Sequence, residues 1–397
     1  MPDSTTQSQL AELKEYNLNL RRLVENQVVP SASGPFRHPI PPFEIPHYDN
    51  SDARHIYAAI ENGYRCGCRK PHMASLEMPN IAYTLTSHNS QPTTQRTLQL
   101  LFTSLNLQSE ASDIPSTALD VANPKQRENC AVSICECIDD ENETIPDLCN
   151  FVKSFGERIP NVSTHGRGKL KTEEKYYSLN AASLRESIAE AHKVVSLEDL
   201  TSRLERSDRM GLAVRLTYAI IQYHSTGWID SSWTWKDFSV AGNDGITGDR
   251  SQLFISQKFY SNSDDTSTRN KLWSGWLAVG EPVLTRLGFA LIELALGKRL
   301  YELRDSTIDQ NSAQDAQDYW TACRLLDTGR VRRAESIAYE LVVKACLRHD
   351  FEDSHHTLRR LDSRDKTFEK DVEQCVLKPL HCMWKEQWGG NQRQMCV

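Results

Sequence analysis

Residues 208–240 read DRMGLAVRLTYAIIQYHSTGWIDSSWTWKDFSV, and the fold turns on this stretch. Ala213, Leu216, Ile220 and Ile221 recur at i, i+3, i+7 and i+8, the apolar stripe of a helix over 209–224. A loop with three tryptophans follows, then a short β-prone run from Phe238. Residues 283–303, VLTRLGFALIELALGKRLYEL, predict a second helix over 283–300 that is apolar on nearly every face, hence central and buried. An unpaired internal carboxylate is expensive, so Glu293 within it requires a buried partner.

Upstream, a compact region opens at Ser51 with a capped helix, SDARHIYAAIENGYRC. HMASLEM (72–78), IAYTLTS (81–87), TLQLLFTS (97–104) and AVSICECI (131–138) suit strands, and 145–156 suits a helix ending at Gly156. Residues 105–127 are Ser/Asp/Asn/Pro-rich and predict a loop. SLRESIAEAH (183–192) and SLEDLTSRLERSD (196–208) each open with serine followed three residues later by an acid, close to a capping box. Residues 253–260 suit a strand and 261–271 a loop, and helices are expected over 312–327, 331–348 and 365–386.

These readings divide the chain into five parts: an amphipathic helix within 1–27 able to mediate oligomers, a linker with six prolines over 28–50, a β-containing N-terminal lobe (51–160), a polar linker (161–177) and a helical C-terminal lobe (178–390). The expected fold class is α+β.

Bulk composition excludes several function classes. A net charge of −7 over 397 residues, with basic residues scattered among acids, argues against nucleic-acid binding. No apolar run reaches the ~18–20 residues of a membrane helix, and the first residues lack a secretory pattern. The expected location is the cytoplasm or nucleus, where the eleven cysteines stay reduced.

Several ordered blocks carry a resemblance: SDARHIYAAIENGYRCGCRKPHMASLEM, SLEDLTSRL, the stretch from Arg209 to Val240, RLGFALIELALGKRLYE and VEQCVLKPL. Over about residues 51–385 the chain resembles a filamentous-fungal domain of unknown function, commonly found C-terminal to a prion-inhibition-and-propagation or HeLo-like helical domain. The order helix, loop, short strands, buried helix is similar to the C-terminal lobe of protein kinases. The resemblance therefore implies a two-lobed, protein-kinase-like fold with a degenerate active site. It also implies an arginine late in the chain, such as Arg348, as the partner of Glu293.

The chemistry of a kinase is missing from these residues. Phosphoryl transfer needs a phosphate cradle, a lysine on the phosphates, metal-binding Asp and Asn, and a base at the acceptor. The strand candidates hold no V-A-I-K lysine, and the loop offers Asp230 and Asp237 in an order that fits no H-R-D-x-x-x-x-N. No catalytic residue and no cofactor is assigned.

Two constellations remain. His224, Trp228, Trp233, Trp235 and Asp237 form a candidate interaction loop, against the alternative that the aromatics wedge the loop onto the core. Cys66, Cys68 and His72 are candidate zinc ligands with Cys135 or Cys137, against the alternative that they are small buried side chains. The expected function is a non-catalytic, pseudokinase-like module that binds protein partners in fungal signalling or self/non-self recognition. The alternatives are an atypical phosphotransferase using Asp237 and a zinc-stabilised structural domain.

Overall fold

The computed structural model describes residues 50–68, 71–78, 97–104, 128–137, 144–156, 167–172, 174–180, 194–200, 203–241, 252–260, 281–305, 314–352, 357–363 and 365–388. The helix expected within 1–27, the strand at 81–87, the loops at 105–127 and 261–271 and the helix at 183–192 lie outside them.

The architecture is α+β, built on a large antiparallel sheet. Its strands are β1 (His72–Glu77), β2 (Thr97–Ser104), β3 (Glu128–Cys137), β4 (Arg167–Lys171), β5 (Tyr176–Asn180), β6 (Val194–Ser196), β7 (Phe238–Ala241) and β8 (Gln252–Phe259). Among the described residues they run in the order β4-β5-β3-β2-β1-β8-β7-β6, every pair antiparallel. At the centre, Ala74, Ser75 and Leu76 are buried in succession, as are Leu100, Leu101 and Phe102. Consecutive strand residues point to opposite faces, so both faces are covered there. Ser75 tolerates this burial because its hydroxyl meets that of its register partner Ser256 at 2.7 Å.

Two helices pack on this part of the sheet. α1 (Asn50–Gly63) lies against β4 and against α2 (Leu148–Gly156), and α2 lies across β2 and β3. The stretch expected as a polar linker, 161–177, instead supplies β4 and the start of β5. Its sequence RGKLK hides the strand behind three cations, yet Lys169 is buried with its ammonium 5.4 Å from the centre of the Tyr176 ring. The sheet thus continues through the expected lobe boundary, and β6, β7 and β8 from the C-terminal half complete it.

The helical half is centred on α4 (Arg206–Tyr223) and α5 (Pro282–Leu296), which follow the short α3 (Leu197–Leu200) and pack on each other. α5 starts with proline in its first turn and stops at Gly297. Gly297 adopts φ 63°, a left-handed conformation that suits glycine. The helix expected over 283–300 is therefore α5 plus a separate turn, α6 (Leu300–Leu303).

Downstream stand α7 (Gln314–Asp327), α8 (Arg330–Ala334), α9 (Ile337–Arg348) and the strand pair β9 (Asp350–Glu352) and β10 (Leu358–Arg360). The helix expected over 331–348 is split at Ser336, whose extended backbone and side-chain bond from the Tyr339 N–H cap α9. The last helical run is α10 (Phe368–Val372), a π turn (Glu373–Leu377) and α11 (Lys378–Trp388). Pro379 brings no N–H to the helix ladder, and the wider turn lies immediately before it.

Candidate functional site

The tryptophan loop is a wedge. Trp228 is 0 % exposed. Its indole N–H donates to the Ala53 carbonyl (3.0 Å), and its ring meets Tyr57 and Phe259 edge-on, tying the loop to α1 and β8. Trp233 is buried against Phe238, with its N–H 3.4 Å from the Val283 carbonyl at the start of α5. Trp235 is buried beneath the Arg299 guanidinium, 5.3 Å from its ring centre. His224 sits half-buried at the end of α4, its ring against Phe368. These side chains are placed against four different parts of the core, so they do not share one ligand-facing surface.

Three carboxylates of this region are occupied, Asp230 accepting from the Ser232 N–H (2.6 Å) and hydroxyl (2.7 Å). Asp237 accepts from the Thr234 backbone N–H (2.7 Å) and hydroxyl (3.3 Å), closing a capping box around the 3-10 turn Trp235–Asp237. Burial pushes the Asp237 carboxyl upward, and the Thr234 bonds work against that rise. Glu293 accepts from the Trp235 indole, from Arg299 (3.1 Å) and from the Leu300 backbone (2.7 Å). Its carboxyl is raised by burial, with those three donors pulling it back. The partner of Glu293 is thus Arg299, six residues on, and not Arg348. The turn at Gly297 folds the chain back so that Arg299 reaches the helix it has just left.

A second cluster gathers where the segment after α1 meets the starts of β1 and α2. The extended segment after α1 carries Cys66 and Cys68, His72 opens β1, and Cys149 stands in the first turn of α2. Their three sulfurs and the nearest imidazole nitrogen all lie within 4.8 Å of one another. The Cys66 sulfur is 3.0 Å from His72 Nε2, and the Cys68 sulfur 3.8 Å from that of Cys149. The Tyr64 ring stacks on His72 at 4.2 Å and 7° and fixes the plane of the imidazole. The Asp147 carboxylate accepts from the Cys149 backbone N–H and sets the start of the helix.

The electrostatics follow from crowding. Burial pushes the Cys149 thiol up to about 12, and the neighbouring Cys68 and Cys66 push in the same direction. Burial, with Lys153 nearby, holds His72 below the ordinary imidazole range, so the ring stays neutral. Burial opposes the Lys153 ammonium, but the Cys149, Cys68 and Cys66 sulfurs together outweigh it and raise its pKa.

The fourth member of this cluster is not Cys135 or Cys137. Met73 pairs with Thr103 and Thr103 with Asn129, so the start of β1 lies level with the start of β3. Cys135 is six residues further along β3, roughly 20 Å away at ~3.3 Å per residue. Cys149 arrives instead because α2 packs back over β2 and β3.

Among the described residues, the fold and sites define an α+β protein with a large antiparallel sheet under helices, hydrogen-bonded carboxylates around the tryptophan loop and a thiol–imidazole cluster. No helix among the described residues is long and apolar enough to cross a membrane. The chain belongs to a family described as a domain of unknown function (DUF7580), whose profile matches residues 49–387. No curated protein matches the chain.

Proposed function

We propose that the chain is a non-catalytic, kinase-like interaction module that binds protein partners in fungal intracellular signalling or self/non-self recognition. The observation that carries this reading is the locking of Asp237. Of the two loop acids, Asp237 accepts two bonds from Thr234 and caps its own turn, and Asp230 accepts from the Ser232 N–H and hydroxyl. A base must reach the proton it removes, and Oδ2 of Asp237 is already engaged by the Thr234 N–H and hydroxyl.

A binding surface is offered elsewhere. Ile337 and Leu341, both 55 % exposed, lie one turn apart on α9, and Tyr301 and Trp320 are exposed on the preceding α6 and α7. The docking face of this reading is the exposed side of α9 that carries Ile337 and Leu341.

Thermal melting against ATP, ADP and GTP, each with and without Mg²⁺, tests the non-catalytic half. A ligand that binds only the native state must raise the melting temperature, and none is expected to do so. A Mg²⁺-dependent rise lost in Asp237→Ala would replace this reading with the atypical phosphotransferase. Cross-linking in a fungal extract tests the other half: partners captured by the wild type should be lost in Ile337→Glu/Leu341→Glu with the melting temperature unchanged.

A further inference from the structure

Independently of the interaction reading, we propose that Cys66, Cys68, His72 and Cys149 hold one zinc ion as a closed structural centre, with the Lys153 ammonium as its counter-charge. Tetrahedral zinc with bonds of ~2.3 Å to sulfur and ~2.0 Å to nitrogen needs ligand atoms roughly 3.5–3.8 Å apart. The Cys68–Cys149 edge is 3.8 Å, the Cys66–His72 edge is 3.0 Å, and no pair exceeds 4.8 Å. Small side-chain rotations convert this arrangement into a coordination tetrahedron.

The donor set selects the metal. Three sulfurs and one imidazole suit zinc, whereas magnesium and calcium take oxygen ligands. Four protein ligands leave no position open for water or substrate, so the centre acts on folding and not on a reaction. Three thiolates around a divalent cation leave one negative charge. Lys153 follows Cys149 by four residues on the same helix face and would offset it.

The location supplies the purpose. The described residues 64–68 and 71 lie in neither helix nor strand, between α1 and β1. Cys66 and Cys68 would clasp this segment to α2, closing a loop in which Cys149 lies 81 positions beyond Cys68. Closing so long a loop removes much of the freedom of the unfolded chain.

The test uses the full chain without an affinity tag, produced in zinc-supplemented medium and measured by elemental mass spectrometry. We expect about one zinc per chain. Chelation should lower the melting temperature, and zinc but not magnesium should restore it. Replacement by cobalt should give the intense absorption of tetrahedral Co²⁺ with three thiolates.

Because Cys149→Ser can fail to fold, Cys149→His is the second variant: it should keep the metal while the cobalt spectrum loses one thiolate. Cys135→Ser should leave metal content unchanged. Lys153→Glu should weaken zinc affinity by about tenfold or more, as loss of a supporting contact does. A folded wild type without zinc whose melting ignores chelators overturns the proposal. So does a chain isolated with Cys68 and Cys149 joined as a disulfide, or a cobalt spectrum that Cys149→His leaves unchanged. None of these outcomes touches the partner-binding surface on α9, so the two readings fail separately.

Discussion

Trp235 donates its indole N–H to the carboxylate of Glu293, 58 residues further along the chain. Arg299 closes the unit, bonding the same oxygen while lying over the indole ring and donating to the Glu198 carbonyl (2.7 Å). One part-buried carboxylate thus joins the tryptophan loop, α5, the turn after it and α3.

The two donors of this unit should differ in weight. Trp235→Phe keeps a ring beneath Arg299 and removes one hydrogen bond, so it should destabilise by about 1–2 kcal/mol. Arg299→Ala leaves the carboxylate buried without its cation, a change that typically costs about 3–5 kcal/mol. Urea unfolding of the two variants checks the order, and equal losses would show that Arg299 does not compensate the charge.

Asp237→Ala removes the reciprocal half of the capping box with Thr234. A lost cap of this kind destabilises by roughly 0.5–2 kcal/mol. The loss should appear in the denaturation midpoint with an unchanged slope, because the compactness of the unfolded chain is not altered. Thr234→Ala removes the other half, the hydroxyl that accepts from the Lys236 N–H, and leaves the Thr234 N–H bond to Asp237, so its loss should be the smaller.

Gly227 adopts φ 89°, and a Cβ there would stand 2.8 Å from the Tyr57 ring. That ring is already packed against Trp228 and Phe259 and has no room to retreat. Gly227→Ala therefore combines left-handed strain of roughly 1–2 kcal/mol with overpacking of similar size. A drop in melting temperature, accompanied by altered near-ultraviolet signals from Trp228, is the expected result.

The parts of this fold that were legible in the sequence are those with a local period. α4 and α5 declare themselves through apolar spacing, and the aromatic wedge follows from the size of the indoles. Cys149 does not announce itself, because its place beside Cys68 depends on the register of β1, β2 and β3 and on how α2 crosses them. Residues 66, 68 and 72 are close along the chain and mark one side of the cluster; the other side has only a lone cysteine in an apolar helix. The same holds for Glu293. A carboxylate in an apolar helix signals that a partner exists, but only the turn at Gly297 shows that it is Arg299. β4 carries no strand signal of its own, because its burial comes from Tyr176 and the sheet around it, while its composition is that of a solvated linker.

His349 gives the protein a defined response to acid. It ends α9 at φ 56°, and its Nε2 lies 2.8 Å from the Thr285 hydroxyl inside the core. Burial lowers its pKa from 6.5 to about 4, with the Arg360 charge acting in the same direction. Between those values the unfolded chain binds a proton that the folded chain refuses, so folding stability falls as pH falls from 6.5 toward 4. Above 6.5 the contribution is fully present and flat. His349→Asn should reduce this slope, because asparagine tolerates the left-handed backbone and does not titrate. Denaturation midpoints of wild type and variant across this range provide the measurement. Parallel curves would mean that the acid sensitivity originates elsewhere, with the buried His381, also lowered to about 4, as the next residue to replace.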